Sequence, residues 1–225
     1  MLSKGKEDAM QNVLKYLKWE NTKKGVHITK CDKSFEGAMA IPDHINGIPV
    51  VEIGERAFAE CEKITSVALP DTVEVVGEYA FYNCTGIEEL RLGAGIKKIE
   101  EHAFYHCRSI KSVEIPGSVE VVGEQAFAYC KGLEELRLDA GIKKIEKYAF
   151  HHCGSLKSVE IPGSVEVVGE EAFAFCSNLI EARLPSTVKK IGINAFDKKA
   201  ILIVDAGTYA ERWCVQNHLG NYKVC

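Results

Sequence analysis

Residues 109–132 read SIKSVEIPGSVEVVGEQAFAYCKG, and the order of local signals in this stretch decides the fold. Apolar and polar residues alternate over positions 110–115, which predicts a strand, and Pro116-Gly117 predicts a turn directly after it. A second short strand is expected over 119–122. The helical spacing of apolar residues within 126–130 predicts a short helical turn, so the unit is strand, turn, short strand and helical turn.

The same unit recurs along most of the chain with a period of 23 residues and without an insertion or deletion. Its Ala-Phe pairs contain Phe58, Phe81, Phe104, Phe127, Phe150, Phe173 and Phe196. A fixed period between about 20 and 50 residues is the signature of a repeat array. Since one unit cannot bury its own apolar side, neighbouring units are expected to stack around one continuous core.

Two units together form a longer repeat. Residues 90–135 and 136–181 are identical at 35 of 46 positions. Identity at this level indicates either a tandem duplication or deliberate construction, and the sequence leaves both origins open.

The repeated pattern L-x-x-V-x-I-P-x-x-V-x-x-V-G-x-x-A-F-x-x-C resembles the 23-residue leucine-rich repeats of the BspA-like, Treponema pallidum type. The resemblance covers about residues 41–199. It implies an α/β repeat solenoid in the form of a right-handed leucine-rich repeat arc. A parallel β-sheet is expected on the concave face, short helical turns on the other side, and a cap at each end.

Four segments follow from the pattern and the resemblance. Residues 1–20 are expected to form an N-terminal helix, because their apolar residues fall on one helical face. Residues 21–53 resemble a β-rich N-terminal cap, and residues 54–199 contain the repeats. Residues 200–225 resemble a C-terminal cap made of a strand and a helix.

Composition excludes several classes of function. The chain of 225 residues has a formal net charge of −4 with interspersed lysines and glutamates, so it lacks the basic stripe that nucleic-acid binding requires. No run approaches the 18 or so apolar residues of a membrane-spanning helix. No catalytic Ser/His/Asp or Cys/His set and no phosphate-binding glycine loop is found. We therefore expect neither enzymatic activity nor a cofactor.

The segment HAFYHC at residues 102–107 places two histidines on one face of a predicted helical turn, which suggests a metal site. A zinc site needs three or four ligands at about 2.0 to 2.3 Å, and no third ligand accompanies His102 and His106. The equivalent histidine of another unit, His152, is expected two units and roughly 10 Å away. We therefore predict polar surface side chains here and no bound metal.

The cysteines of the repeats are candidates for disulfides, metal ligands or core residues. They are Cys61, Cys84, Cys107, Cys130, Cys153 and Cys176, with Cys31, Cys214 and Cys225 outside the series. Each repeat cysteine follows a core phenylalanine by three residues, and free cysteine packs as a small hydrophobic side chain. On the wider side of an arc, neighbouring cysteines are expected to stand too far apart for a disulfide. We predict free, buried thiols.

Two columns of residues on the first strands are predicted to face the concave side. One column holds Ser66, Glu89, Ser112, Glu135, Ser158 and Glu181, and the other holds Ala68, Arg91, Glu114, Arg137, Glu160 and Arg183. Opposite charges on strands about 4.8 Å apart predict lateral ion pairs. A second ladder is expected from Glu74, Lys97, Glu120, Lys143, Glu166 and Lys189. The columns are either ion-pair ladders or a mixed-charge docking surface, whose contact residues run from Glu89 to Arg183.

A strip of aromatic and histidine residues on the predicted helical side is the other candidate surface. It consists of Tyr79, Tyr82, His102, Tyr105, Tyr129, Tyr148, His151 and Phe175. Tyrosine is favoured in protein interfaces because it combines apolar area with a polar tip, so Tyr82, Tyr105 and Tyr129 are candidate contacts. Phe175 and Tyr129 have an alternative role, which is to cover the core between turns.

The sequence thus favours a non-enzymatic module for protein recognition or adhesion, with a protein or extracellular-matrix partner. Resemblance to the family implies a bacterial or protist cell-surface or secreted protein. The N-terminal segment MLSKGKEDAMQN lacks the apolar region of a signal peptide, which favours the alternative of an intracellular scaffold. A carbohydrate-binding role ranks third. The partner, the face that binds it and a homo-oligomer through either face are left open.

Overall fold

The computed structural model describes residues 12–217 and 220–225. In this part of the chain, strands β1 to β19 are joined by short turns, and a helix, α1, precedes the last strand. The bounds are β1 Leu17–Asn21, β2 Val26–Cys31, β3 Gly37–Ala40, β4 His44–Ile45, β5 Ile48–Ile53, β6 Ile64–Ala68, β7 Val75–Val76, β8 Glu89–Arg91, β9 Lys98–Ile99, β10 Ser112–Ile115, β11 Val121–Val122, β12 Glu135–Leu138, β13 Lys144–Ile145, β14 Ser158–Glu160, β15 Val167–Val168, β16 Glu181–Arg183, β17 Lys190–Ile191, β18 Ile201–Val204, α1 Tyr209–Gln216 and β19 Tyr222–Val224.

The predicted N-terminal helix is corrected in part. Residues 1–11 lie outside the described residues, and residues 12–14 are helical. The prediction is wrong for residues 17–20, which belong to β1 and pair antiparallel with β2. Leu17 is buried and Trp19 packs against the core, so the apolar side chains are used at the two-residue spacing of a strand.

The first strands of the 23-residue coils form parallel ladders. β3, β6, β8, β10 and β12 make a five-stranded sheet, and β14, β16, β18 and β19 make a four-stranded sheet. The single sheet that the sequence predicted is therefore interrupted between β12 and β14. The interruption coincides with Leu136, which is half-buried, whereas Val113 and Val159 at the equivalent positions are buried.

The short second strands form one ten-stranded sheet that also takes in the N-terminal flank. Its order is β1-β2-β5-β7-β9-β11-β13-β15-β17, and β4 pairs with β5. The β4–β5 hairpin turns at Asn46-Gly47, where φ is 54° and 78°. Both values lie in the left-handed region, as a two-residue type I′ turn requires. The flank thus continues the repeat sheet without a break in pairing.

Glycine follows the second strand where neighbouring coils come closest. A Cβ atom at Gly123 would lie 2.6 Å from the carbonyl oxygen of Ile99 and 2.7 Å from the carbonyl carbon of Glu100. Any side chain there would push the coils apart, because real Cβ contacts are not this short. The same contact with the preceding coil explains Gly77 and Gly169.

The third side of each coil consists of tight turns, and the predicted helical turns are not found there. Gln125 and Tyr129 have φ of 53° and 61°. A right-handed helix requires negative φ at both residues, so the segment cannot be helical. The backbone N–H groups of Gln125, Phe127 and Tyr129 instead donate to carbonyls of the next coil, over 3.1, 2.8 and 2.7 Å. Hydrogen bonds between coils therefore hold this side together.

The core is built around the phenylalanine column, as predicted. The rings from Phe58 to Phe173 are fully buried, and successive centroids stand 4.8 to 5.5 Å apart in nearly parallel stacks. The repeat cysteines are buried beside them. The Sγ of Cys130 donates to the carbonyl of Phe104 over 3.3 Å, and the other coils repeat this contact. The prediction of a shared core containing both columns is confirmed.

The chain ends with β18, α1 and β19. Thr208 caps α1, because its hydroxyl accepts a hydrogen bond from the backbone N–H of Glu211 at 3.3 Å. The Glu211 carboxylate reaches back and accepts from the N–H of Gly207 at 2.7 Å. Trp213 and Cys214 are buried, and β19 pairs parallel with β18. The predicted strand and helix are present, and β19 adds a further strand to the four-stranded sheet.

Candidate partner-binding surface

The first-strand face carries the predicted candidate residues on neighbouring strands. The cross-strand partners are Ser66 and Glu89, Ala68 and Arg91, Ser112 and Glu135, Glu114 and Arg137, Ser158 and Glu181, and Glu160 and Arg183. Most of these side chains are exposed; Ser66, Ala68 and Glu181 are half-buried. The predicted register is observed for these six pairs, and it is not continued by strand pairing between β12 and β14. The role of both columns in binding stays a prediction.

The predicted charge ladder on this face is realised at one place. Arg137 Nε lies 3.6 Å from Glu114 Oε1 and 3.1 Å from Asp139 Oδ1. Among the described residues, no other oppositely charged pair of that column comes within 4.0 Å. The side chains of Arg137 and Glu114 are 71% and 60% exposed, so this pair contributes less than about 1 kcal/mol.

Other ion pairs join coils elsewhere on the surface. On the second strands, Lys97–Glu74 and Lys189–Glu166 pair at 2.9 and 3.0 Å, as predicted, whereas Glu120–Lys143 is not within pairing distance in the described part. Two further pairs that were not predicted are Lys111–Glu88 at 3.2 Å and Lys157–Glu134 at 2.8 Å. These residues precede the first strands, and their regular 23-residue offset was the available signal.

An open groove of about 820 Å³ crosses the first-strand face where the two first-strand sheets meet. Charged side chains of Glu114, Glu135 and Arg137 line it together with Ser112 and Leu136. Apolar side chains, among them Leu90 and Leu92, contribute about as much of its lining as the polar groups do. The groove is therefore a surface of mixed character, with charged columns beside apolar side chains.

The turn side of the coils carries a continuous aromatic array, which we call the aromatic strip. Its members are Tyr79, Tyr82, His102, Tyr105, His106, Tyr129, Tyr148, His151, His152 and Phe175. A chain of ring contacts runs through Tyr82, Tyr105, Tyr129, His152 and Phe175, with centroid separations of 5.5, 5.3, 4.7 and 4.7 Å. The structure thus brings together all the aromatic residues that the sequence assigned to this side.

His106 and His152 are members of the strip that sequence reasoning missed. Both were interpreted as isolated polar surface residues. Their position in the repeat is the one that Tyr129 and Phe175 occupy in neighbouring coils, and this equivalence was the signal. His152 stacks between those two rings at 4.7 Å from each centroid.

Burial and neighbouring charges lower the pKa of three strip histidines, which are His106, His151 and His152. Burial lowers the pKa of His106, helped by Arg108 and Lys131. Burial also lowers the pKa of His151 and of His152, and Glu171 partly opposes the shift at both. The Nδ1 of His106 lies 2.7 Å from Asn83 Oδ1, and the Nε2 of His151 lies 3.2 Å from Glu171 Oε2. The lowered pKa values favour the uncharged form of these three rings at neutral pH.

The histidines do not assemble a metal site. Within residues 12–217 and 220–225, no group of three or more His, Cys, Asp or Glu side chains has the arrangement of a metal site. His102 Nδ1 is 3.1 Å from Glu101 Oε1 but makes no hydrogen bond, and it stacks on Tyr79 at 4.5 Å. No helix in the same part of the chain combines the length and the apolar character needed to cross a bilayer.

Five of the repeat thiols are held in their protonated form. Burial raises the pKa of Cys84, Cys107 and Cys153 well above the usual range, and raises that of Cys130 and Cys176 to about 12. Thiolates are the reactive and metal-binding form, so these residues act as core side chains.

A sequence profile described as the BspA type leucine rich repeat region matches six copies over residues 32–119, 51–179 and 97–208. The chain belongs to this family. BspA-type chains are repeat proteins with a fold of a non-catalytic kind, and membership is consistent with a module for protein interaction. Comparison with curated proteins gave no match.

Solved structures of leucine-rich repeat proteins share the fold of this BspA-type chain. The T. pallidum leucine rich repeat protein TpLRR is 28% identical, with a TM-score of 0.72 over 94% of this chain and 96% of TpLRR. A leucine-rich repeat protein from Bacteroides ovatus is 23% identical, with a TM-score of 0.58 over 86% and 61% of the two chains. The pneumococcal vaccine antigen PcpA is 15% identical, with a TM-score of 0.58 over 85% and 65%. The last two similarities concern the fold alone.

Proposed function

We propose that the protein is a non-enzymatic recognition module that binds a protein partner through the aromatic strip. The observation that carries this proposal is the exposure of Phe175, which leaves 56% of its surface in solvent at the end of the ring chain. A ring needed only to cover the core would be more deeply buried. Aromatic side chains, tyrosine above all, supply much of the binding energy in protein interfaces.

The first-strand face is the weaker candidate for the centre of an interface. Its candidate residues are mostly charged, and interface centres are depleted in charged side chains. Its Arg137–Glu114 pair is already solvated, so a partner would have to compete with both water and the existing contact. We assign this face a secondary, polar role in recognition.

Selection from a random peptide library displayed on phage tests the proposal without assuming a partner. The test variant combines Tyr129→Asn and Phe175→Asn, because Asn83 already occupies the equivalent left-handed position with φ of 56°. The matched control is Ile180→Asn, which removes another apolar side chain that is 65% exposed outside the strip.

Peptides selected on the wild-type protein should bind the Ile180→Asn control equally well. They should lose roughly tenfold or more in affinity for the double variant, because interface aromatic anchors contribute about 2 kcal/mol or more. If the double variant binds the selected peptides as tightly as the wild type does, or if the selection enriches no peptide, the proposed role of the strip is refuted.

The setting that we propose for this recognition is adhesion at a cell surface, which is what family resemblance implies. An intracellular scaffold is the alternative. Antibody labelling of intact and permeabilised source cells separates them, because only a surface protein is labelled before permeabilisation. Labelling that appears only after permeabilisation would favour the scaffold and leave protein recognition itself in place.

A further inference from the structure

We infer that the aromatic strip binds an extended, proline-rich peptide with basic side chains, held in the polyproline II conformation. This inference rests on the proposed function, because it names the chemistry of the partner that the strip recognises. Three observations carry it: the spacing of the rings, the free tyrosine hydroxyls and the carboxylates beside the strip.

The spacing of the ring chain matches the period of a polyproline II helix. Successive centroids from Tyr82 to Phe175 are 4.7 to 5.5 Å apart. Two steps span roughly 10 Å, close to the rise of about 9.3 Å for three polyproline II residues. A proline at every third position would therefore meet every second ring. A β-strand repeats its side chains every 6.7 Å or so, which matches neither one ring step nor two.

The polar atoms of the strip favour a ligand whose backbone carbonyls are free to accept hydrogen bonds. Side-chain hydrogen bonds of the strip join His106 to Asn83 and His151 to Glu171. Among the described residues, the hydroxyls of Tyr82, Tyr105 and Tyr129 take part in none. A polyproline II segment has free backbone carbonyls that accept hydrogen bonds from such donors.

An α-helix is disfavoured by the same reasoning. Its pitch of about 5.4 Å also fits the ring spacing, but its carbonyls are already paired within the helix. A helical partner would therefore leave the three tyrosine hydroxyls without a backbone acceptor.

A column of carboxylates borders one side of the strip and supplies the charge complementarity. Its members directly precede the first left-handed residue of each coil and are Glu55, Glu78, Glu101, Glu124 and Glu170, with Lys147 interrupting the series. The Glu101 carboxylate lies 3.1 Å from the His102 ring, which places the column against the rings. Glu78 and Glu124 have no cationic partner within 4.0 Å among the described residues and are free to pair with a ligand.

The other side of the strip fixes which way the basic side chains point. Arg108 and Lys131 each follow a left-handed strip residue by two positions, at the other end of the turn from the carboxylates, and both act on His106. Arginines of the peptide would be repelled there and attracted to Glu78 and Glu124. A peptide with arginine at every third position can place all of them on the acidic side, because polyproline II has three residues per turn.

Calorimetric titration of the purified full chain with synthetic peptides tests the inference. The probe is a twelve-residue peptide of four Arg-Pro-Pro units. The peptide controls are four Glu-Pro-Pro units, which reverse the charge, and four Arg-Gly-Ser units, which keep the charge and lose the polyproline II conformation. The Arg-Pro-Pro peptide should bind, and both controls should bind at least about tenfold more weakly.

Three variants assign the binding to the strip. The Glu78→Gln, Glu124→Gln double variant should weaken binding about fivefold through lost charge attraction. The Tyr82→Phe, Tyr105→Phe, Tyr129→Phe triple variant keeps the rings and should weaken it about tenfold through lost hydrogen bonds. The matched charge comparison, Glu89→Gln with Glu135→Gln on the first-strand face, should weaken binding by less than about twofold, because that face has only a secondary role.

Each contrary outcome overturns a stated part of the reasoning. Equal binding of either control peptide, or a larger effect of the first-strand variant, overturns the inference. If the Arg-Pro-Pro peptide fails while library-selected peptides or an oligosaccharide bind the strip, this partner class is wrong although the strip still recognises ligands. If no ligand of any class depends on the strip, the proposed function fails as well.

Discussion

Replacing Phe127 with alanine should destabilise the protein by about 4 to 5 kcal/mol, at the upper end for a buried phenylalanine. The ring is fully buried and stacks on Phe104 at 5.0 Å and on Phe150 at 5.5 Å. Each stacked pair contributes about 0.5 to 1.5 kcal/mol beyond its buried area, and this substitution removes two of them.

Two further substitutions calibrate the effect. Phe196 is 6% exposed and stacks on Phe173 alone, at 5.3 Å, so Phe196→Ala should cost about 1 kcal/mol less than Phe127→Ala. Arg137→Ala removes a solvated ion pair and should cost under about 1 kcal/mol. The expected order of destabilisation is therefore Phe127→Ala, then Phe196→Ala, then Arg137→Ala.

Urea unfolding followed by circular dichroism and tryptophan fluorescence measures this order. Trp19 lies in β1 and Trp213 in α1, so the two indoles report on opposite flanks of the array. With a slope of about 2 to 3 kcal/mol per molar urea, Phe127→Ala should lower the midpoint by roughly 1.3 to 2.5 M. Equal midpoints for Phe127→Ala and Arg137→Ala would show that the phenylalanine column is not the dominant core. The assignment of inner and outer columns would then be wrong as well.

Three other outcomes are expected. Cys225 is exposed and the other eight cysteines are buried, so a thiol reagent at pH 8 should rapidly label one site in the native protein. After denaturation without reductant the reagent should label all nine cysteines. Fewer than nine labelled cysteines would reveal a disulfide. Gln125→Gly should leave stability unchanged or raise it by up to about 1 kcal/mol. Glycine relieves a left-handed backbone strain of about 1 to 2 kcal/mol, but it costs about 0.5 to 1 kcal/mol in chain entropy. The control, Gln125→Ala, should not raise the thermal midpoint. Because the pKa values of His106, His151 and His152 are lowered, the unfolded chain binds protons first as the pH falls below about 6.5, so the thermal midpoint should drop between pH 7 and 5. His106→Asn with His152→Asn should flatten that slope, and an unchanged slope would contradict the assignment.

The columns of the repeat could be predicted from the sequence because a fixed 23-residue period places equivalent residues above one another whatever their local conformation. This is why the burial of Phe127 and Cys130 and the register of Glu114 with Arg137 followed from spacing alone. Ion pairing did not follow, since side chains of 60 to 71% exposure choose between several neighbours and water. Register is a property of the backbone, whereas the pairing of long solvated side chains is not.

Local conformation was predicted less well, and the turn side shows the physical reason. The spacing of Ala126, Phe127 and Cys130 fits one face of a helix, but helical spacing is also produced by a tight turn that buries the same three residues. Residue propensities did not predict this conformation, because glutamine and tyrosine rarely adopt φ above zero, as Gln125 and Tyr129 do here. Hydrogen bonds from these residues to the next coil decide the conformation, and they exist only once the coils have stacked.

The left-handed residues also connect the fold to the proposed surface. His102, His106, Tyr129, His152 and Phe175 all have φ between 56° and 63°, a conformation in which glycine would be free of strain. Stability alone would favour glycine or asparagine there, and Asn83 and Asn194 show that the position accepts asparagine. Ring stacking at 4.5 to 5.3 Å offsets part of the strain, but these rings lie at the surface, where stacking stabilises less than it does in the core. Aromatic side chains at strained, partly exposed positions therefore support the proposal that this surface contacts a partner.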